Sequence, residues 1–180
     1  MVGRVEVRRV DEDNLERLLA VAVGDAAPEE VMPPAAGGPG WTTERQAAFR
    51  EWHRARRAGL AGPLGECTYV ITYEGEVVGS ARLALREGHD VLETGMWLGR
   101  THRGRGIGTA TVRLLLDEAA GAGARAVVAD TTTHNTAALA ALRGNGATLT
   151  ANQATREVHA ELVLSRTPPT AGPRDVRLRP

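Results

Sequence analysis

The sequence contains no lysine: all 22 of its basic residues are arginine. A Schiff-base lysine, a Walker phosphate loop with its lysine, and a Ser-Lys dyad are thereby excluded. It has one cysteine, Cys67, which makes no internal disulfide and no metal site by itself; it lies in an apolar run of strand character and reads as core packing. His53, His89 and His159 show no metal-ligand spacing, so no metal is expected and each reads as a surface residue. Excess charge is lacking as well. The arginines are balanced by 22 acidic residues, which disfavours a generalised grip on nucleic acid or on an anionic membrane. No apolar run approaches membrane-spanning length, and residues 1–20 carry Arg4, Arg8, Arg9 and several acids where a signal peptide needs an apolar stretch. A reducing, cytoplasmic setting is the expectation.

What is present is the material of one soluble domain: 180 residues, 42% hydrophobic and 24% charged, enough for a single core. Residues 1–165 are expected to form that domain. Residues 166–180, with Pro168, Pro169 and Pro173 before the final Pro180, read as a flexible tail.

Val5, Val7 and Val10 open a strand, and Asp11 can cap a helix whose Leu15, Leu18, Leu19 and Ala22 recur at helical spacing. Residues 25–41 hold too many prolines and glycines for regular structure, and their apolar pieces Val31, Met32 and Trp41 suggest a loop folded over something. Thr43 with Gln46 makes a capping-box pattern for a second helix to about Ala58, with Ala48, Trp52 and Ala55 on its inner face. From Cys67 the pattern is β: a strand to a turn at Glu74-Gly75, a second from Val77 to Leu85, a turn at Glu87-Gly88, and a third from Val91 to Leu98. A helix follows from Ile107 through Glu118, then a buried-type strand at Ala126–Ala129, a short helix from Asn135 to about Arg143, and a hairpin of 147–151 with 158–164.

The chemistry is most legible at Arg103-Gly104-Arg105-Gly106-Ile107-Gly108, between a strand and a helix. Helix N-terminal N–H groups have no internal partner and carry roughly half a positive charge together, so they bind phosphate oxygens well. Glycine lets the ligand reach the backbone, and the arginines add charge-assisted donors. A dinucleotide fold does not fit: a third glycine is due at 109, which is Thr109, and the loop follows an antiparallel meander.

The run Arg103-x-x-Gly106-x-Gly108 after a strand ending in Leu98, followed by helix, strand and Asn135-x-x-Ala138, resembles the acetyl-coenzyme A signature of the GNAT N-acetyltransferase superfamily. The resemblance implies an α+β (mixed α/β) fold with a mostly antiparallel sheet of about six or seven strands flanked by about four helices. It implies acetyl-CoA as co-substrate, with backbone groups of Arg103, Gly104, Arg105, Gly106, Ile107, Gly108 and Thr109 cradling the pyrophosphate. Leu98 and neighbouring strand backbone would hold the pantetheine and the acetyl carbonyl, the Leu98 N–H serving as oxyanion donor. Asn135 would contact the pantetheine arm. The tyrosine that in this family often protonates the departing thiolate is replaced by Leu142, which leaves a water, Thr132, Thr133, His134 or no acid at all.

An ammonium acceptor must lose a proton before attack, so a carboxylate or a relayed water is expected near the acetyl group. Glu93 is the first candidate, although on a regular strand it faces away from Leu98, five residues on. Asp130 is the second and His134 the third. His102 reads as a loop residue or phosphate neighbour. Glu30-Val31-Met32-Pro33-Pro34 with Gly40-Trp41-Thr42, together with Glu93 to Leu98 and Ala129 to Thr132, is similar to bacterial aminoglycoside acetyltransferases of the kasugamycin 2'-N-acetylating kind. That resemblance implies a small cationic amine acceptor and a part in antibiotic resistance, with Glu30, Trp41, Glu93, Trp97 and Asp130 as substrate-binding residues. Peptide N-acetylation and non-catalytic acyl-CoA sensing are the alternatives, neither nucleic acid nor membrane is an expected partner, and a homodimer is the assembly kept in view.

Overall fold

The computed structural model describes residues 3–34, 38–86, 88 and 90–164; the expected tail at 166–180 and His89 lie outside them. Seven strands form one mixed sheet in the order β1-β2-β3-β4-β5-β7-β6. These are β1 (Val5–Arg9), β2 (Glu66–Tyr73), β3 (Glu76–Leu85), β4 (Val91–Leu98), β5 (Ala126–Thr132), β6 (Thr148–Ala151) and β7 (Glu157–Val163). Every neighbouring pair is antiparallel except β4 and β5. The helices are α1 (Glu12–Asp25), α2 (Pro28–Val31), α3 (Thr43–Arg54), α4 (Ile107–Gly121) and α5 (Thr136–Gly144).

Alternation along the central strands sends side chains to two cores. Cys67, Tyr69 and Ile71 of β2, with Leu83 and Leu92, pack under Ile107, Leu115 and Ala119 of α4. Val70 faces the other way and meets Leu15, Leu18 and Leu19 of α1 and Phe49 of α3. Cys67 is fully buried, as its apolar run implies. A third cluster seats Ala141 and Leu142 of α5 against Val112, Ala129, Ala160 and Leu162.

Local chemistry and packing explain the ends and faces of the helices and correct several expectations. Asp11 caps α1 through a reciprocal box with Asn14. At α3 the cap is Thr42 and not Thr43: its hydroxyl accepts from the Arg45 N–H, while Gln46 reaches back to the Trp41 carbonyl. Packing against α1 also selects a different inner face: Phe49 and His53 are buried, Ala48 and Trp52 are partly covered, and Ala55 is exposed. His53 is therefore a core residue, not a surface one. The stretch read as all loop holds α2, with Pro28 at its first turn and the Glu30 carboxylate accepting the Ala27 N–H at 2.7 Å. A proline at that position costs no hydrogen bond and its fixed φ suits a helix.

Candidate active site

The parallel pairing of β4 with β5 covers only Val91–Glu93 against Ala126–Val128. Beyond Glu93, β4 continues against β3 to Leu98 and β5 continues against β7 to Thr132. The two strands part there, and a wedge opens with free backbone edges on both sides. The β3–β4 register is unbroken, so Glu93, Gly95 and Trp97 share one face and Thr94, Met96 and Leu98 the other.

At the mouth of the wedge lies the glycine loop. Gly104 and Gly106 have φ of 74° and 77°, left-handed values that L side chains occupy only with strain. Gly106 is the N-cap of the fifteen-residue helix α4 and offers no side chain to it. The N–H groups of Ile107, Gly108 and Thr109 accordingly have no partner among the described residues. Aligned N–H groups on a bare helix end, fronted by glycine, fit a pyrophosphate. Arg105 is exposed. The Arg103 side chain instead folds back, its Nε donating to the Leu98 carbonyl at 3.0 Å. Asn135 caps α5, its Oδ1 accepting the Ala138 N–H at 3.1 Å, which leaves its amide donors for a ligand.

On the Trp97 face a groove of about 410 Å³ runs between α2, α3 and strands β2 to β4. Trp52 and Trp97 line it, with Met32, Pro33 and Met96, and Glu29, Glu30, Glu66, Arg56 and Arg82 supply its charges. Arg56 stacks on Trp52 at 3.9 Å from the ring centre and pairs with Glu66. A ladder of alternating charge then crosses the sheet: Glu66 to Arg82, Arg82 to Glu93, Glu93 to Arg86 at 2.6 Å, Arg86 to Asp130 at 3.3 Å, and Asp130 to His159 at 2.7 Å. Glu66 and Glu93 both stand opposite Ala84 in register, so the small residue makes room for Arg82 to bridge them.

The expected site residues are thus distributed unevenly. Glu30 and Trp97 line the groove. Glu93 stands behind Arg82, with its oxygens held by Arg82 and Arg86. Asp130 belongs to a separate concavity of about 630 Å³ with Thr132, Thr150 and His159. Trp41 is not brought into the groove: its Nε1–H donates to the Ala26 carbonyl at 2.9 Å and its ring meets Phe49 edge-on. His134 faces Arg156, whose Nη1 lies 3.0 Å from its Nε2. That imidazole nitrogen therefore accepts a hydrogen bond from the guanidinium. Leu142 is buried in the third core and presents nothing to solvent.

Sequence reasoning passed over Arg56, Glu66 and Arg82 and read Trp52 as core. A signal for Arg82 was present: a charge within the apolar strand Gly79–Leu85 must find a partner, because an unpaired charge at such a site is costly.

The sequence model of the acetyltransferase (GNAT) family matches residues 27–147. The chain belongs to the GNAT acetyltransferase family. Residues 27–147 hold the wedge, the glycine loop and the groove, and as a member of this family the protein is an acetyl-CoA-dependent N-acetyltransferase. Among solved structures the GNAT chain is similar to Mycobacterium smegmatis RimJ in complex with CoA-disulfide (TM-score 0.72, 20% identity, covering 93% of this chain and 85% of that one). It is similar to RimL, a ribosomal L7/L12 alpha-N-protein acetyltransferase in complex with coenzyme A (0.70, 19%, covering 90% and 95%). A third is yncA, a putative acetyltransferase from Salmonella typhimurium with acetyl-CoA (0.63, 20%, covering 96% and 99%). At these identities the likeness is one of fold. No curated protein sequence matches the chain. Among the described residues no helix is long and apolar enough to cross a membrane, and no cluster of His, Cys, Asp or Glu has the makings of a metal site.

Proposed function

We propose that this acetyltransferase acylates a primary amine on a small polar acceptor of aminoglycoside type. The observation that carries the reading is the groove: two indole rings, Trp52 and Trp97, and three carboxylates, Glu29, Glu30 and Glu66, in a space of about 410 Å³. Aromatic faces suit sugar rings, carboxylates suit ammonium groups, and ligand sites of this kind occupy roughly 300–1,000 Å³.

In this reading the thioester lies in the wedge and the amine enters from the groove. A strand N–H at Leu98 steadies the oxyanion as the amine attacks, without reorganising to do so. Glu93 takes the amine proton through a water, since Arg82 stands between it and the groove. The thiolate leaves to water, Leu142 having no proton to give.

One observation favours a second reading, acetylation of a peptide N-terminus. Each carboxylate at the groove is already paired with an arginine, which weakens the field a polycation would feel. Thiol release from acetyl-CoA, measured with kasugamycin and kanamycin beside short peptides with free N-termini, separates the two. Turnover on the aminoglycosides is expected. Turnover on peptides alone replaces this reading with the second, and tight coenzyme binding with no turnover on any amine makes the chain a sensor. The reading requires a compartment that supplies acetyl-CoA, as the cytoplasm does, and every group it uses lies within one chain.

A further inference from the structure

The acceptor groove and the coenzyme loop share one carboxylate. Glu30 projects from α2 into the groove wall, and its Oε2 accepts from Arg100 at 2.7 Å while its Oε1 lies 3.5 Å from Arg103. Arg103 is the first residue of the glycine loop, and Arg100 lies three residues before it. The Glu30 carboxyl is held below its usual range first by the Ala27 N–H and then by these two arginines. It is charged at neutral pH.

The loop itself is fixed by a second acid. Asp25, at the end of α1, accepts both the N–H and the hydroxyl of Thr101, at 2.9 and 2.6 Å, and a Cβ on Gly99 would come within 2.6 Å of the same carboxylate oxygen. With Arg103 also bonded to the Leu98 carbonyl, the segment 99–103 is tied to α1 through Asp25 and to the end of β4. The link between the groove and this segment is the ion pairing of Glu30 with Arg100 and Arg103.

We propose that Glu30 is a positioning residue shared by the two substrates, whose charge couples a cation in the acceptor groove to the phosphates of the coenzyme. On the loop side the carboxylate cancels part of the positive potential of Arg100 and Arg103, so it weakens the hold on pyrophosphate. An ammonium placed against Glu30 from the groove neutralises that charge and restores the hold. Coupling of this kind is reciprocal, so the bound coenzyme strengthens acceptor binding by the same factor. The acceptor half rests on the reading of a cationic amine given above.

The test is calorimetric titration of coenzyme A and of pantetheine, which lacks the phosphates, into wild type and Glu30→Gln. Glutamine keeps the acceptor oxygen for Ala27 and Arg100, removes the charge, and sets its amide NH2 in place of the oxygen that faces Arg103 at 3.5 Å. At 50 mM salt Glu30→Gln should bind coenzyme A about fivefold tighter, the gain should vanish at 1 M salt, and pantetheine should bind both proteins alike. Arg100→Gln should weaken coenzyme A and reduce the effect of adding Glu30→Gln. Saturating kanamycin should tighten coenzyme A in wild type and not in Glu30→Gln. A coenzyme A affinity that is unchanged or weaker in Glu30→Gln, or a change shared equally by pantetheine, overturns the proposal. Beside a tighter Glu30→Gln variant, kanamycin that binds wild type without tightening coenzyme A overturns the coupling, and kanamycin that does not bind overturns the aminoglycoside reading alone.

Discussion

His53 should make this protein sensitive to mild acid. Its ring is almost wholly buried on α3 between Phe49 and Trp52, with centroids 4.6 and 4.8 Å away. Its Nδ1 meets the Thr68 hydroxyl at 3.0 Å, and its Nε2 has no partner. Burial, and after it the charge of Arg56, lowers its pKa from 6.5 to about 3. Between those values the unfolded chain binds a proton that the folded chain refuses, so stability rises with pH and is lost as pH falls below 6.5. At pH 5 the unfolded state is favoured by 1.5 pK units, which is about 2 kcal/mol. For a domain of this size that lowers Tm by about 4–8 °C between pH 7 and pH 5. The depressed carboxyls, Glu12 and Asp25 among them, release their contributions only below about pH 4.5 and stay out of the window. Scanning calorimetry at pH 7, 6 and 5 on wild type and His53→Asn isolates the effect. Asparagine keeps a polar atom near Thr68 and cannot titrate. Its absolute Tm falls because the ring's volume is lost, but its pH slope should be shallower by this amount, the other histidines cancelling in the comparison. Parallel slopes would refute the argument.

Three further outcomes concern the site. Gly106→Ala should cost about 1–2 kcal/mol for its left-handed φ and raise the coenzyme KM, whereas Gly108→Ala, whose new methyl meets only the Ala141 Cβ at 3.9 Å, should be neutral or stabilising by up to about 1 kcal/mol; equal losses in thermal melts would contradict the geometry. Asn135→Asp should keep the α5 cap and Asn135→Ala should lose about 1 kcal/mol of it. Both should raise the coenzyme KM if the amide donates to the pantetheine arm, and a normal KM for the aspartate variant excludes that donation. Glu93→Gln should lower kcat by ~10²–10⁴ and flatten the acidic limb of the pH–rate profile, with coenzyme affinity unchanged; an unaltered profile moves the same test to Asp130 and then to His134.

In the proposed reading one chain positions two unlike substrates. The coenzyme's polar end needs backbone donors, and those come from a helix terminus that a glycine has stripped of its own cap. The acceptor needs a shaped wall, and that comes from α2 and α3, which pack on the opposite core. Glu30 lies where the two meet, held there by the Ala27 N–H and by Arg100 and Arg103.

Periodicity by itself determined the elements: the alternation of β2 to β4, the helical spacing of Leu15, Leu18 and Leu19, and the glycine loop before α4 are all local patterns, and local patterns survive without knowledge of what packs on them. The loop's chemistry was legible for the same reason, since a bare helix terminus is made by consecutive residues. The inner face of α3 was not, because a cap fixes where a helix begins and not which side packs inward, and only packing against α1 reveals that. The α2 turn was hidden among prolines that, at a first helical turn, favour the helix they elsewhere break. Only the tertiary structure decided the rest. It placed β7 between β5 and β6, ended the β4–β5 pairing at Glu93, and set Glu66, Arg82 and Glu93 from three strands in one charge ladder. It also turned Trp41 and Leu142 to cores while it left Trp52 at the groove. Each of these depends on which residues distant in sequence meet across the sheet, and pairing over such separations is fixed by the packing of the whole domain and not by any window along the chain.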